Sequence, residues 1–270
     1  MHDWLSLQAG SLHAEGVALD AIADRFGTPT YVYSRHAIES AYAEFRDACA
    51  GRDALICYAL KANSNLAVID LLARMGAGFD IVSAGELGRV IAAGGDPSKV
   101  VFSGVGKSAA EIRQALDVGV RCFNVESEAE LERLSAIAAA QGRRAPVSLR
   151  VNPDVDAGTH PYISTGLKEN KFGISHERAI EVYRRAAALP GIDVVGIDCH
   201  IGSQITELAP FEAALDKVLE LVRALAGHGI ELHHLDLGGG LGIRYRDETP
   251  PARAALMKIS SCSRARAWPT

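Results

Sequence analysis

Short runs of β-branched, aromatic and small apolar residues alternate along this chain with stretches whose apolar positions recur every three to four residues. The runs at 54–60, 78–82, 99–103, 121–125, 147–151, 194–199 and 233–237 read as strands. The stretches at 65–75, 84–93, 109–118, 127–141, 177–188 and 210–226 read as amphipathic helices. The clearest helix is 127–141. Ser127 and Glu130 have the spacing of a capping box, and Leu131, Leu134, Ile137 and Ala138 follow at helical intervals. Strict alternation with short connections implies parallel strands joined by helical crossovers. Near-continuous apolarity implies strands buried on both faces.

A doubly wound sheet and a (β/α)8 barrel both satisfy this pattern. The phosphate fingerprints that would favour the first are imperfect. Ser103-Gly104-Val105-Gly106-Lys107-Ser108 imitates the end of a P-loop, but Val101 occupies its first glycine position. Gly238-Gly239-Gly240-Leu241-Gly242-Ile243 follows a strand but places Ile243 where a dinucleotide fingerprint needs its last glycine. A steady repeat of about 20–25 residues favours the barrel. The expected fold class is therefore α/β, a TIM (β/α)8-type barrel showing about seven of its eight strands. The run Thr30-Tyr31-Val32-Tyr33-Ser34 reads as an additional strand without a partner in the barrel. After Tyr245 the pattern stops. Residues 247–251 form a turn, and 260–267 are small, polar and basic. The expected division is an N-terminal segment at 1–34, a partial barrel at 35–247 and an aberrant or disordered tail at 248–270.

Composition narrows the function classes. Of the 270 residues 48% are apolar and 23% charged, which is ordinary for a globular chain. A net charge of −5 recruits neither nucleic acid nor an anionic membrane. No run has the length of a membrane span, and the start carries no basic region followed by an apolar stretch. The five cysteines, Cys49, Cys57, Cys122, Cys199 and Cys262, are scattered and include no Cys-x-x-Cys pair. That spacing suggests neither a zinc site nor a disulfide framework, and the expectation is a reduced, cytoplasmic protein.

In such a barrel the chemistry belongs at the C-terminal ends of the strands. Lys61, in Tyr58-Ala59-Leu60-Lys61-Ala62-Asn63, ends the first strand. An amine partly desolvated there is a nucleophile suited to a Schiff base with pyridoxal phosphate (PLP); equally, a lysine can end a strand simply by reaching solvent. Asp80 and Ser83 end the second strand, Arg150 and Asn152 the fifth, His200 and Ser203 the sixth, and Gly238, Gly239 and Gly240 the seventh. Three successive glycines let backbone N–H groups approach a phosphate, and Ser203 adds a hydroxyl; the plainer reading is a flexible turn. His200 reads either as a ring stacked on a flat cofactor or as a satisfied core histidine. His233 and His234 are adjacent and face opposite ways in a strand, so they cannot chelate one metal together. His160 and His176 lack acidic or histidine partners at metal-ligand spacing, and no metal site is expected.

These segments, taken in order, resemble the diaminopimelate decarboxylase family, within the PLP-dependent alanine racemase/ornithine decarboxylase fold group. The similar segments are 58–63, 78–87, the loop Gly166-Leu167-Lys168-Glu169-Asn170-Lys171-Phe172-Gly173-Ile174, 200–205 and 237–243. The resemblance covers about residues 25–247. It implies that Lys61 is the Schiff-base lysine, that His200 stacks on the ring, and that Ser203 with Gly238, Gly239 and Gly240 holds the phosphate. It also implies that Asp80 and Arg150 flank the ring. It further implies decarboxylation of meso-2,6-diaminopimelate to L-lysine, an amino-acid substrate, and a homodimer in the full-length family. The family's Glu-Pro-Gly-Arg motif, its Cys-Glu-Ser segment, its late substrate-binding tyrosine and its C-terminal β-domain have no counterpart here. The expectation is a truncated or frameshifted chain of impaired activity. The alternatives are a non-catalytic PLP-binding fragment or a related PLP-dependent decarboxylase or racemase.

Overall fold

The computed structural model describes residues 4–155 and 172–259. Two compact units divide it at Ala50.

The first unit opens with three short antiparallel strands, β1 (Leu5–Gln8), β2 (Ser11–Ala14) and β3 (Val17–Ala18), in the order β1-β2-β3. Two helices follow, α1 (Leu19–Phe26) and α2 (Arg35–Ala48). Ser34 caps α2 by accepting from the Ala37 N–H at 2.9 Å and donates its hydroxyl to Glu15 Oε1 at 2.5 Å. The same carboxylate oxygen accepts the His36 N–H at 3.1 Å, so one acid serves two free donors at a helix start. Residues 30–34, expected as a strand, are not one: no ladder partner reaches them among the described residues. Tyr31 and Tyr33 stack on each other at 6.4 Å instead.

The second unit alternates strand and helix. It contains β4 (Cys57–Ala59), α3 (Leu66–Arg74), β5 (Gly78–Ile81), α4 (Ala84–Ala92), β6 (Val100–Phe102), α5 (Ala109–Val118), β7 (Cys122–Val125) and α6 (Glu128–Ala140). Then come β8 (Ala145–Asn152), β9 (Ile174–Ser175), α7 (His176–Ala188), β10 (Ile192–Asp198), α8 (Ala209–Gly227), β11 (His234–Asp236) and α9 (Arg253–Ile259). The seven principal strands pair in parallel in the order β11-β10-β8-β7-β6-β5-β4, with the short β9 beside β8. All seven expected strands are present, as a half-barrel. Phe79, Ile81, Phe102, Phe123 and Leu149 are completely buried, as strands covered on both faces require.

Serines start the helices. Ser83, Ser108 and Ser127 each accept the N–H three residues on. Only Ser108 forms the reciprocal box, with Glu111. At Ser127, where a full box is expected, Glu130 turns away: its Oε2 accepts the Glu126 N–H at 3.0 Å and its Oε1 takes Lys107 Nζ at 2.7 Å. A buried ammonium outcompetes a cap that solvent could satisfy.

The sheet curves. Asn124 on β7 reaches Asp236 on β11 at 3.3 Å, although β8 and β10 lie between those strands in sheet order. His234 on β11 likewise meets Ser148 on β8 at 3.0 Å. A Cβ on Gly196 would overlap the His234 ring, so the glycine makes room for it inside the curve. Residues 253–259, expected to belong to a tail without regular structure, form α9. Leu256 and Ile259, one turn apart, pack onto Ile201, Phe211, Ala214 and Leu215. Residues 260–270, and Gly166 to Lys171 of the loop singled out above, lie outside the described residues, as does His160.

Candidate active site

The C-terminal ends of the half-barrel strands gather the candidate residues at one mouth. Lys61 stands in the turn after β4, and the turn is locked at both ends. The Ala62 N–H donates to Ala59 O at 3.1 Å, and the Tyr58 hydroxyl donates to Asn63 O at 3.1 Å. The Leu60 N–H bonds Asp80 O at 3.0 Å, tying the turn to β5. The sequence leaves a partly desolvated amine and a lysine that reaches solvent both open; Lys61 is exposed, so the amine is not desolvated by its own strand end. The apolar run ends one residue earlier, at the fully buried Leu60, and the turn carries the next side chain out to the open mouth.

Asp80 lies inside, at the end of β5. Burial raises its carboxyl to about 6, against the Ser103 hydroxyl, which donates to Oδ1 at 2.6 Å. Asp236 raises it further, and the Lys61 charge lowers it, so both are within electrostatic reach. His200 follows β10. Burial lowers its pKa to about 4, helped by the positive charges of Arg150 and Lys61. The ring is therefore neutral at pH 7. Its Nδ1 accepts the Gly239 N–H at 3.3 Å, which assigns the proton to Nε2. Arg150, on β8, pairs with Glu126 Oε2 at 3.0 Å and lies over the Phe172 ring at 5.5 Å. Its Nε is buried without a hydrogen-bond partner among the described residues. Lys61, Asp80, Arg150 and His200 thus share one field.

The glycine loop and the loop after β10 clasp each other. Ile205 N–H donates to Gly240 O at 2.8 Å, and Gly242 N–H donates to Ile205 O at 2.8 Å. Gln204 closes the pair, donating to Ile243 O at 2.5 Å and accepting its N–H at 3.0 Å. The approach demands glycine. A Cβ on Gly238 would lie 2.6 Å from Cys199 O and 2.8 Å from His200 Nδ1, and one on Gly240 would overlap Gly202 O. Gly238 and Gly240 also have φ of +67° and +105°. Gly239 faces open space. Ser203 is exposed beside this cradle.

The other P-loop-like segment has a different role. Lys107 is 1% exposed and its Nζ is consumed by Gly104 O, Asn124 O and Glu130 at 2.7–2.8 Å. It is a structural cation. Four residues at the mouth escaped sequence reasoning: Ser103, Asn124, Glu126 and Asp236. Ser103 and Asn124 sit at the ends of β6 and β7, where short polar side chains carry no pattern that sets them apart from ordinary strand ends. Asp236 had a signal, since it shares a strand face with His234 two residues earlier.

The donor set suits a flat aromatic aldehyde carrying a phosphate. It offers an exposed amine, a neutral ring, a glycine cradle, a hydroxyl and an arginine held by Glu126. Residues 35–264 match the family described as "Pyridoxal-dependent decarboxylase, pyridoxal binding domain". The diaminopimelate decarboxylase of Pseudomonas aeruginosa is 66% identical over 249 residues, covering 92% of this chain and 60% of that protein. The chain therefore spans about 60% of the length of the curated relatives it matches. Among solved structures, the diaminopimelate decarboxylase of Helicobacter pylori complexed with L-lysine superposes with a TM-score of 0.87 at 42% identity. It covers 93% of this chain and 62% of its own. A further structure, SrLDC in complex with PLP and cadaverine, superposes with a TM-score of 0.78 at 27% identity, over 93% of this chain and 60% of its own.

Proposed function

The chain belongs to the pyridoxal-dependent decarboxylases, matched through their pyridoxal-binding domain, and on that premise we propose that it is the cofactor-holding portion of a diaminopimelate decarboxylase. The single observation that carries the reading is the meeting of Lys61, Asp80 and His200 at one mouth, beside a loop so closely packed that a Cβ on Gly238 or Gly240 would strike Cys199 O or Gly202 O. PLP, when bound, supplies an electron-accepting ring that lets a bond beside an amino group break. Lys61 presents its amine for the aldehyde from a turn that is held at both ends. His200, kept neutral, offers a flat ring face rather than a charge. The loop Gly238-Gly239-Gly240 with Ser203 would hold the phosphate, the Gly240 N–H and the Ser203 hydroxyl serving as donors while the N–H groups of Gly238 and Gly239 fix the loop's shape through Asp236 Oδ1 and His200 Nδ1. Arg150, fixed by Glu126, and Asp80, raised toward neutrality, line the ring's flank. Asp80 can hold or release a proton near pH 6 within reach of Lys61. The substrate is meso-2,6-diaminopimelate, and the products are L-lysine and CO2. As a whole protein it is a cytoplasmic homodimer.

One observation favours a second reading, cofactor binding without turnover. Strands β4 and β11 each have a single neighbour among the described residues, so the barrel wall is open beside the site. One experiment separates the two. The 270-residue chain is titrated with PLP, with Lys61→Ala as control, and CO2 release from meso-diaminopimelate is then assayed. A Lys61-dependent absorbance band with CO2 release supports the decarboxylase. The band without CO2 supports the second reading, and no Lys61-dependent band refutes both.

A further inference from the structure

The loop that would cradle a phosphate follows a three-residue strand at the edge of the sheet, and among the described residues β11 is bonded to β10 alone. Gly238 and Gly239 are exposed. Backbone pairing alone leaves the start of this loop weakly held. His200 holds its second amide, and another side chain holds its first. Asp236 Oδ1 accepts the Gly238 N–H at 2.8 Å. Its Oδ2 accepts from Asn124 Nδ2 at 3.3 Å, across the inside of the curved sheet. Asn124 Nδ2 also reaches Ser103 Oγ at 3.3 Å, and Ser103 donates to Asp80 at 2.6 Å. A continuous hydrogen-bonded strut thus runs from the glycine loop, through β7 and β6, to the carboxylate facing Lys61.

We propose that Asp236 is a positioning residue that fixes the glycine loop for the cofactor's phosphate, with Asn124 as its anchor on the opposite wall. The proposal rests on the PLP reading above. Asp236 uses both oxygens at once: one orients the loop's first amide, and the other is clamped by a donor that the fold supplies from a strand three places away in sheet order. Gly238 takes a left-handed φ of +67° at a place where even a Cβ would strike Cys199 O and His200 Nδ1, and a glycine so free in its backbone gains most from a bond that fixes its amide. The effect falls mainly on the phosphate end of the ligand, since Asp236 bonds the loop directly and reaches Asp80, on the amine side, only by its charge and through Asn124 and Ser103.

The test compares PLP with pyridoxal, which lacks the phosphate, by absorbance titration of the 270-residue chain. Asp236→Asn cannot satisfy both neighbours as they stand: its amide meets either the Gly238 N–H or the Asn124 NH2 with a donor, and turning the Asn124 amide over to relieve this breaks its bond to Ser103 Oγ. Losing one charge-assisted bond lowers PLP affinity by about tenfold, while pyridoxal affinity stays within about twofold. The double variant Asp236→Asn/Asn124→Asp again sets a donor against an acceptor and restores most of the PLP preference. Asn124→Ala, should Asp236→Asn fail to fold, gives the same selective loss at about threefold. Equal weakening of both ligands, or no change in their ratio, overturns the proposal while leaving PLP binding intact. Absence of the Lys61-dependent band in the unsubstituted chain overturns the cofactor reading and this proposal with it.

Discussion

Lys107→Met removes a buried ammonium and leaves its partner behind. Lys107 and Glu130 meet at 2.7 Å with side-chain exposures of 0% and 2%. Three acceptors converge on Nζ: Gly104 O, Asn124 O and Glu130 Oε1. Methionine fills nearly the same volume, so the cavity term is small and the electrostatic one dominates. An uncompensated buried carboxylate costs about 3–5 kcal/mol. For a unit of this size each kcal/mol shifts Tm by roughly 2–4 °C, so the loss is on the order of 10 °C. The double variant Lys107→Met/Glu130→Gln removes the stranded charge yet keeps an acceptor for the Glu126 N–H. It recovers about 2 kcal/mol relative to Lys107→Met alone. Thermal and urea unfolding of the two single variants and the double variant complete the cycle. If the double loses the sum of the singles, the two groups are not coupled and the buried pair is not as described. If Lys107→Met instead leaves stability unchanged and abolishes phosphate-ligand binding, the segment is a phosphate loop after all.

Further outcomes follow from the same geometry. His200, lowered from 6.5 to about 4, lets the unfolded chain bind a proton that the folded chain refuses, so its contribution is lost as pH falls from 6.5 through 4. Asp80, raised from 3.8 to about 6, does the reverse, and its stabilisation fades as pH rises from 3.8 through 6. The two slopes oppose in the unsubstituted, cofactor-free chain. The His200 share is read by difference: between pH 4 and 6.5 the urea-derived stability of Asp80→Asn climbs by about 3 kcal/mol more than that of Asp80→Asn/His200→Phe, since the lowered His234 and the raised Asp198 contribute to both; equal profiles contradict the assignment. Gly240→Ala, forced against Gly202 O at a positive φ, weakens PLP by about tenfold or more, whereas Gly239→Ala, facing open space, changes it less than about threefold. Equal effects in a binding titration would undo the cradle. Ile259→Ala costs about 2 kcal/mol by denaturant unfolding if α9 is docked on Phe211 and Leu215, and near zero if it is not.

Seven strands were legible because burial on both faces writes them as apolar runs with helical patterns between. Their ends were less so. The run 54–60 shortens to Cys57–Ala59 because β4 is an edge strand with one neighbour to register against. The strands at 5–18 left little trace, being two to four residues long and half polar. The expected strand at 30–34 has the right residues, but a strand requires a partner as well as a propensity. At the site, Lys61, His200 and the glycines stood out because each ends a strand. The exposure of Lys61 did not, since neighbouring composition says nothing of which way a turn releases a side chain. Asn124, Ser103 and Glu126 stayed hidden because their partners lie more than twenty residues away, in adjacent strand–helix units. Contacts of that kind depend on how the sheet curves, which periodicity does not carry.

The central claim is that Lys61 holds the cofactor at the mouth of the half-barrel. Borohydride reduction of the PLP-treated chain, followed by peptide mapping, tests it most directly. A single pyridoxyl group on the peptide containing Lys61, absent from Lys61→Ala, is the predicted result. Label spread over exposed lysines, or undiminished labelling in Lys61→Ala, would contradict it.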